Sequence, residues 1–248
     1  MLYKFCSDSP GGWIMSEMAL RLCEPLAQHA EAIAGCADRQ TVRYVASTWR
    51  SWLDLADVDD DVTNNVFSAI GTGTVTRRQI RNLAKDADSA DRRLALLITA
   101  LVWGRGTANG RMRDPIIRAL THRDRDQVLE HTADLAKRGA AADAYAAWTL
   151  PGLRAPFFTK WLWAASSFKP QLCCLVQDKR VWNSLRSLNW DSLQASGRRD
   201  WPSRYAAYVA DVHECAHQLG NRVSAEDIEC TLFRINGNLN ELRPAALT

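Results

Sequence analysis

No apolar run in the 248-residue sequence is long enough to cross a membrane: the longest, Leu94–Trp103, falls short of the about 18 residues that a span requires. The amino-terminal MLYKFCSDSPGG lacks the apolar stretch of a secretory signal, so a soluble, cytoplasmic protein with no membrane partner is expected. Seven cysteines with no repeated spacing, one adjacent pair (Cys173, Cys174) among them, do not make a disulfide framework; reduced, mostly buried thiols are expected. No stretch alternates apolar and polar residues long enough to demand a strand, and no self-similarity recurs at solenoid periods.

Net charge is slight, +3, but unevenly spread. Gly71–Arg125 carries twelve Lys/Arg against five Asp/Glu, and Pro151–Ala210 nine against three, while acidic groups gather at Asp54, Asp57, Asp59, Asp60 and Asp61. A basic face suits a phosphate-bearing partner, because each cation that neutralises a phosphate releases a counterion. A solvated helix surface would carry the same charges. Ten tryptophans beside five tyrosines and six phenylalanines supply either a heavy core or stacking surfaces, and core is expected for most.

Apolar residues recur with helical period almost throughout. Ser16–Ala34 places Met18, Leu22, Leu26, Ala30 and Ile33 on one stripe, and Thr41–Leu55 does the same with Val45, Trp49 and Trp52. Further helices are expected over 61–70, 76–85, 91–103, 123–137, an alanine-rich stretch to about 148, 157–166, 179–188, 202–219 and 225–235, with breaks at Gly71-Thr-Gly73 and Gly104-Arg-Gly106. The fold class is therefore all-α. Because one bundle rarely uses so many short helices, residues 1–248 are read as one unit of two helical lobes, 1–75 with 190–248 and 76–189, in a monomer.

Three constellations carry candidate chemistry. His213-Glu214-Cys215-Ala216-His217 matches H-E-x-x-H, in which two histidines one turn apart face zinc and the glutamate acts as base. The extended pattern lacks its third ligand, since Val223 stands where a histidine is required, so no metal is assigned. The loop from Trp103 to Arg113 combines three glycines with Arg105, Asn109, Arg111 and Arg113, donors for phosphates or base edges; it lacks the Gly-Lys-Ser/Thr of a nucleotide-binding loop, and a helix cap with a linker is the plain alternative. The third runs Leu150-Pro-Gly-Leu153, Phe158-Thr-Lys160-Trp-Leu-Trp163 and Leu175-Val-Gln-Asp178-Lys-Arg-Val-Trp182.

This third segment resembles the catalytic region of the helix-hairpin-helix superfamily of DNA glycosylases, and within it the bacterial 8-oxoguanine-glycosylase-like (OGG-like) proteins. In that superfamily a Leu-Pro-Gly turn joins two helices, a lysine opens the second, and an aspartate follows about twenty residues on in a V-D-x-x-V-W setting. Leu150-Pro151-Gly152, Lys160, and Asp178 with Val181 and Trp182 match in order and spacing. Two departures stand out: Arg154–Thr159 replaces the usual Gly-x-Gly before the lysine, and Arg180 occupies the place of a common histidine. No carboxy-terminal four-cysteine cluster is present, which excludes the iron–sulfur branch.

The resemblance implies base excision with no cofactor, on double-stranded DNA carrying modified bases. Asp178 would stabilise the cationic sugar of the transition state, and Lys160, if burial or cationic neighbours lower its basicity, would attack C1′ as a Schiff-base nucleophile. Arg105, Asn109, Arg111, Arg154 and Arg180 are the candidate DNA contacts, and Trp103, Trp163 and Phe233 the candidate base pocket. The Trp-Gly-Arg-Gly and Thr-Lys-Trp-Leu-Trp segments are most similar to an anti-phage member of the group, implying glucosylated hydroxymethylcytosine in phage DNA as substrate, with 8-oxoguanine as the alternative. Taken without the resemblance, Asp178 reads as a helix N-cap and Lys160 as a surface residue. A zinc hydrolase built on His213, Glu214 and His217 and a non-catalytic helical DNA-binding protein are the competing classes.

Overall fold

The computed structural model describes residues 15–71, 73–107, 112–169, 173–220 and 222–242. The fold is all-α apart from one short ladder. In chain order the elements are α1 Glu17–Ala27, α2 Ala30–Ile33, α3 Cys36–Arg39, β1 Thr41–Arg43, α4 Ala46–Leu55, α5 Asp60–Ile70, β2 Thr74–Thr76, α6 Arg77–Lys85, α7 Ala90–Arg105, α8 Arg113–Leu120, α9 Arg125–Lys137, α10 Ala141–Ala146, α11 Ala155–Ser166, α12 Lys179–Ser187, α13 Ser192–Ser196, α14 Trp201–Gln218 and α15 Ala225–Ile235. Many starts are fixed by a local hydrogen bond: Ser16, Asp59, Thr76, Ser89, Asp191, Asp200 and Ser224 each accept a backbone N–H of the first turn, which would otherwise lack a partner.

Three expectations about elements are corrected. The helix expected over Ser16–Ala34 is interrupted at Gln28–His29, where the His29 amide turns back to Leu26 O in a tighter i→i+3 bond. Thr41–Arg43 is not helical but pairs antiparallel with Thr74–Thr76, Val42 opposite Val75; three residues are too few for alternation to be legible, although five of the six residues are β-branched. Val45 consequently precedes α4 and is exposed, leaving Trp49 and Trp52 as the buried stripe. α3, α8 and α13, all of eight residues or fewer, lie outside the expected helices.

The chain divides into two compact units, the described residues up to Ala37 with those from Asp178 onward, and Asp38–Gln177. These boundaries differ from the expected 75/76 and 189/190. The reason is packing: the β1–β2 ladder and the contact of α5 with α6 and α7 hold residues 41–70 to residues 74–105, while α12 packs on α15.

In the Asp38–Gln177 unit, α7 is the central rod. Every residue from Leu94 to Trp103 is buried, because α5, α6, α9 and α11 surround it, which is the arrangement an all-round apolar helix requires. The other unit packs α1 and α13 against α14, and its polar centre is Asp211, which accepts from Trp190 Nε1 at 2.8 Å and Ser16 Oγ at 2.9 Å. Burial nevertheless pushes that carboxyl above its ordinary value. The six cysteines among the described residues are buried and form no disulfide. No helix among the described residues is long and apolar enough to cross a membrane.

Candidate active site

The site is built on α11 and the turn that precedes it. Leu150 and Leu153 are buried on either side of an exposed Pro151 and a glycine at φ +87°. A Cβ on Gly152 would overlap Pro115 O and lie 2.9 Å from its C and Cα, so the turn needs glycine for its conformation and for close approach to the backbone at the start of α8. The helix then opens with Arg154 exposed at the N-cap and Pro156 in the first turn, where a missing N–H costs nothing.

Lys160 lies one turn into α11 and is 5% exposed. Its ammonium donates to Pro156 O in the preceding turn and stands 5.3 Å from the Phe157 ring centre. Its neighbours along the helix have structural duties. Trp161 Nε1 donates to Thr132 Oγ1 at 2.9 Å, locking α11 to α9, and Trp163 is fully buried.

Residues 173–177 run alongside α11 as buried chain outside any helix or strand. Ser166 Oγ accepts the Cys174 amide at 2.9 Å and Thr159 Oγ1 accepts the Gln177 amide at 3.0 Å, each hydroxyl also donating back into its own helix. The match is geometric: the helix between the two hydroxyls rises about 10.5 Å, and three residues of extended chain advance about 10 Å. This two-point attachment fixes the course of residues 174–177 along α11. Thr159 and Ser166 were not singled out from sequence, since a hydroxyl inside a helix is usually satisfied by its own backbone.

Asp178 belongs to the unit formed by the residues up to Ala37 and from Asp178 onward, and caps α12. Its backbone is extended (φ −110°, ψ 156°) and its carboxylate accepts the Arg180 amide at 2.9 Å, with the side chain half-buried. Arg180 is exposed, donates to Arg234 O at 3.2 Å and covers the half-buried Phe233 ring at 4.5 Å. Asp178, Arg180 and Phe233 thus lie in one unit, while Lys160, Arg154, Arg105, Trp103 and Trp163 lie in the other.

The tryptophans expected in a base pocket are placed in the core. Trp103 and Trp163 pack with ring centres 5.1 Å apart, and the buried Arg77 guanidinium lies over both at 4.7 and 4.8 Å while its Nε donates to Gln40 Oε1 at 3.0 Å. Nothing in the sequence distinguished Arg77 from its exposed neighbour Arg78. Arg105 ends α7 with its guanidinium 5.3 Å from the Trp52 ring, and burial lowers its basicity. Asn109 and Arg111 lie outside the described residues.

His213, Glu214 and His217 share a surface recess of about 280 Å³ on α14 with Ala210, where Glu214 accepts from Gln218 at 3.1 Å. Among the described residues no three or more His, Cys, Asp or Glu side chains converge as a metal centre would require.

Compared with known families, the sequence matches one described as "Putative 8-oxoguanine DNA glycosylase OGG-like protein" over residues 35–233. That span includes the Leu150-Pro-Gly152 turn, Lys160 and Asp178. No match was found among curated proteins or among solved structures.

Proposed function

The chain belongs to the OGG-like 8-oxoguanine DNA glycosylase family, and from that membership we propose that it cleaves the N-glycosidic bond of a modified base in DNA, leaving an abasic site. The observation that carries the reading is the extent of the family match, which takes in the hairpin turn and both candidate reacting groups. In this reading the Asp178 carboxylate opposes the positive charge that grows on the deoxyribose as the bond to the base breaks. Lys160 supplies an amine that attacks C1′. To do so it must leave Pro156 O, lose a proton and reach out of its buried slot, and the Schiff base it forms with the opened sugar permits strand cleavage. Phe233 under Arg180 is the proposed stacking surface for the extruded base.

The proposed substrate is glucosylated hydroxymethylcytosine in phage DNA, motivated by the similarity of the Trp103-Gly-Arg-Gly106 and Thr159–Trp163 segments to an anti-phage member and by Arg180 in place of histidine. The alternative, 8-oxoguanine, has the family's own description in its favour. The test is incubation with glucosylated phage DNA, unmodified DNA of the same phage and an 8-oxoguanine duplex, scored by strand scission after alkali. Release from the first alone supports the defence reading, preference for the last supports repair, and no release from any of the three refutes the glycosylase proposal for these bases.

Two further outcomes are expected. Binding to duplex DNA should weaken steeply with salt, and Arg154→Ala, which removes an exposed cation from the N-cap of α11, should reduce the dependence of log K on log salt by about one; titrations at several salt concentrations measure this, and an unchanged slope removes Arg154 from the interface. His213→Ala should retain base release, and chelators should not inhibit it; stoichiometric zinc lost together with activity in that variant would favour the hydrolase reading.

A further inference from the structure

Gly104 is the last-but-one residue of α7, and α7 packs along α11. Its backbone is helical, so no positive φ calls for glycine there, and glycine within a helix is a poor choice compared with alanine. The space around it supplies the explanation. A Cβ on Gly104 would overlap Lys160 Cδ, lie 2.6 Å from Cε and 3.6 Å from Nζ, with no other atom among its three nearest neighbours. Gly104 therefore presents bare backbone to the aliphatic stem of the one buried lysine among the described residues, directly after Trp103, whose ring rests on Trp163 three residues beyond that lysine.

We propose that Gly104 is a positioning residue for Lys160: the missing side chain leaves the slot in which the lysine stem lies, and so fixes where its amine is held. The consequence for chemistry rests on the reading of Lys160 as the nucleophile. The stem lies against the bare backbone of Gly104, and the hydrogen bond from Nζ to Pro156 O holds its far end. A methyl group in the slot must push either the lysine or α7 aside. Since Lys160 is the flexible partner, its side chain should move first, and displacement of a reacting group by about 1 Å can cost about 10²-fold in rate.

The experiment compares wild type, Gly104→Ala, Lys160→Ala and the double variant. Borohydride trapping on a duplex with one abasic site reads the Schiff base. Reductive methylation with labelled formaldehyde, followed by NMR, reads the Lys160 amine itself, its signal identified by its absence in Lys160→Ala. Gly104→Ala is expected to bind the abasic duplex as wild type does, to trap it about 10²-fold more slowly, and to shift the Lys160 signal and its pH titration. Unchanged trapping and an unchanged signal in a folded Gly104→Ala protein overturn the proposal. If wild type forms no trapped adduct while Gly104→Ala still moves the Lys160 signal, the positioning stands and the nucleophile reading fails. Should Gly104→Ala fail to fold, the double variant decides: recovery of folding on removal of the lysine stem locates the clash there, and failure of both proteins refutes it.

Discussion

Asp178→Asn is expected to lower base release by about 10²–10³-fold, the usual loss when a preorganised charge facing a transition state is removed, while folding and DNA affinity stay near wild type. The substitution isolates charge because of where Asp178 sits. It caps α12 by accepting the Arg180 amide at 2.9 Å, and asparagine accepts the same bond with similar capping strength. Asp178→Ala would confound the two roles, adding the loss of a cap, about 0.5–2 kcal/mol. Single-turnover base release and equilibrium DNA binding, measured on the same duplex, separate the effects. Wild-type turnover by the folded asparagine variant would leave Asp178 as a cap and nothing more.

Gly152→Ala should cost about 2–5 kcal/mol of stability, combining a left-handed backbone unsuited to alanine with overpacking against a backbone that cannot rotate away. The backbone at that residue has φ +87°, and the added Cβ would collide with the Pro115 carbonyl. Gly197→Ala is the control, since Gly197 also has positive φ (+62°) but an added Cβ there meets nothing within 4 Å. Denaturant unfolding of the two variants followed by circular dichroism separates the conformational cost from the steric one. Equal losses would mean that the Leu150–Leu153 turn does not depend on its approach to α8.

The sequence by itself determined the helical class, most helix starts and the hairpin turn, because these are decided by interactions among residues three or four apart. Ser89, Asp200 and Ser224 cap whichever helix comes after them, and the unbroken apolar stretch of α7 has to be buried on all sides. The candidate pair Lys160 and Asp178 was legible for a different reason: order and spacing within a short segment preserve a family pattern. What tertiary structure alone decided rests on contacts between distant segments. The sequence could place Trp103 and Trp163 in a pocket or in the core, and the stack with Arg77 puts both in the core. Residues 38–70 joined the central unit and not the terminal one through the pairing of β1 with β2 and the packing of α5 on α7, neither of which leaves a periodic signal. Gly104 read as part of a glycine-rich loop that closes an apolar helix. Its place against the stem of Lys160 depends on how closely α7 and α11 approach, a distance set by every side chain between them and visible in no stretch of sequence.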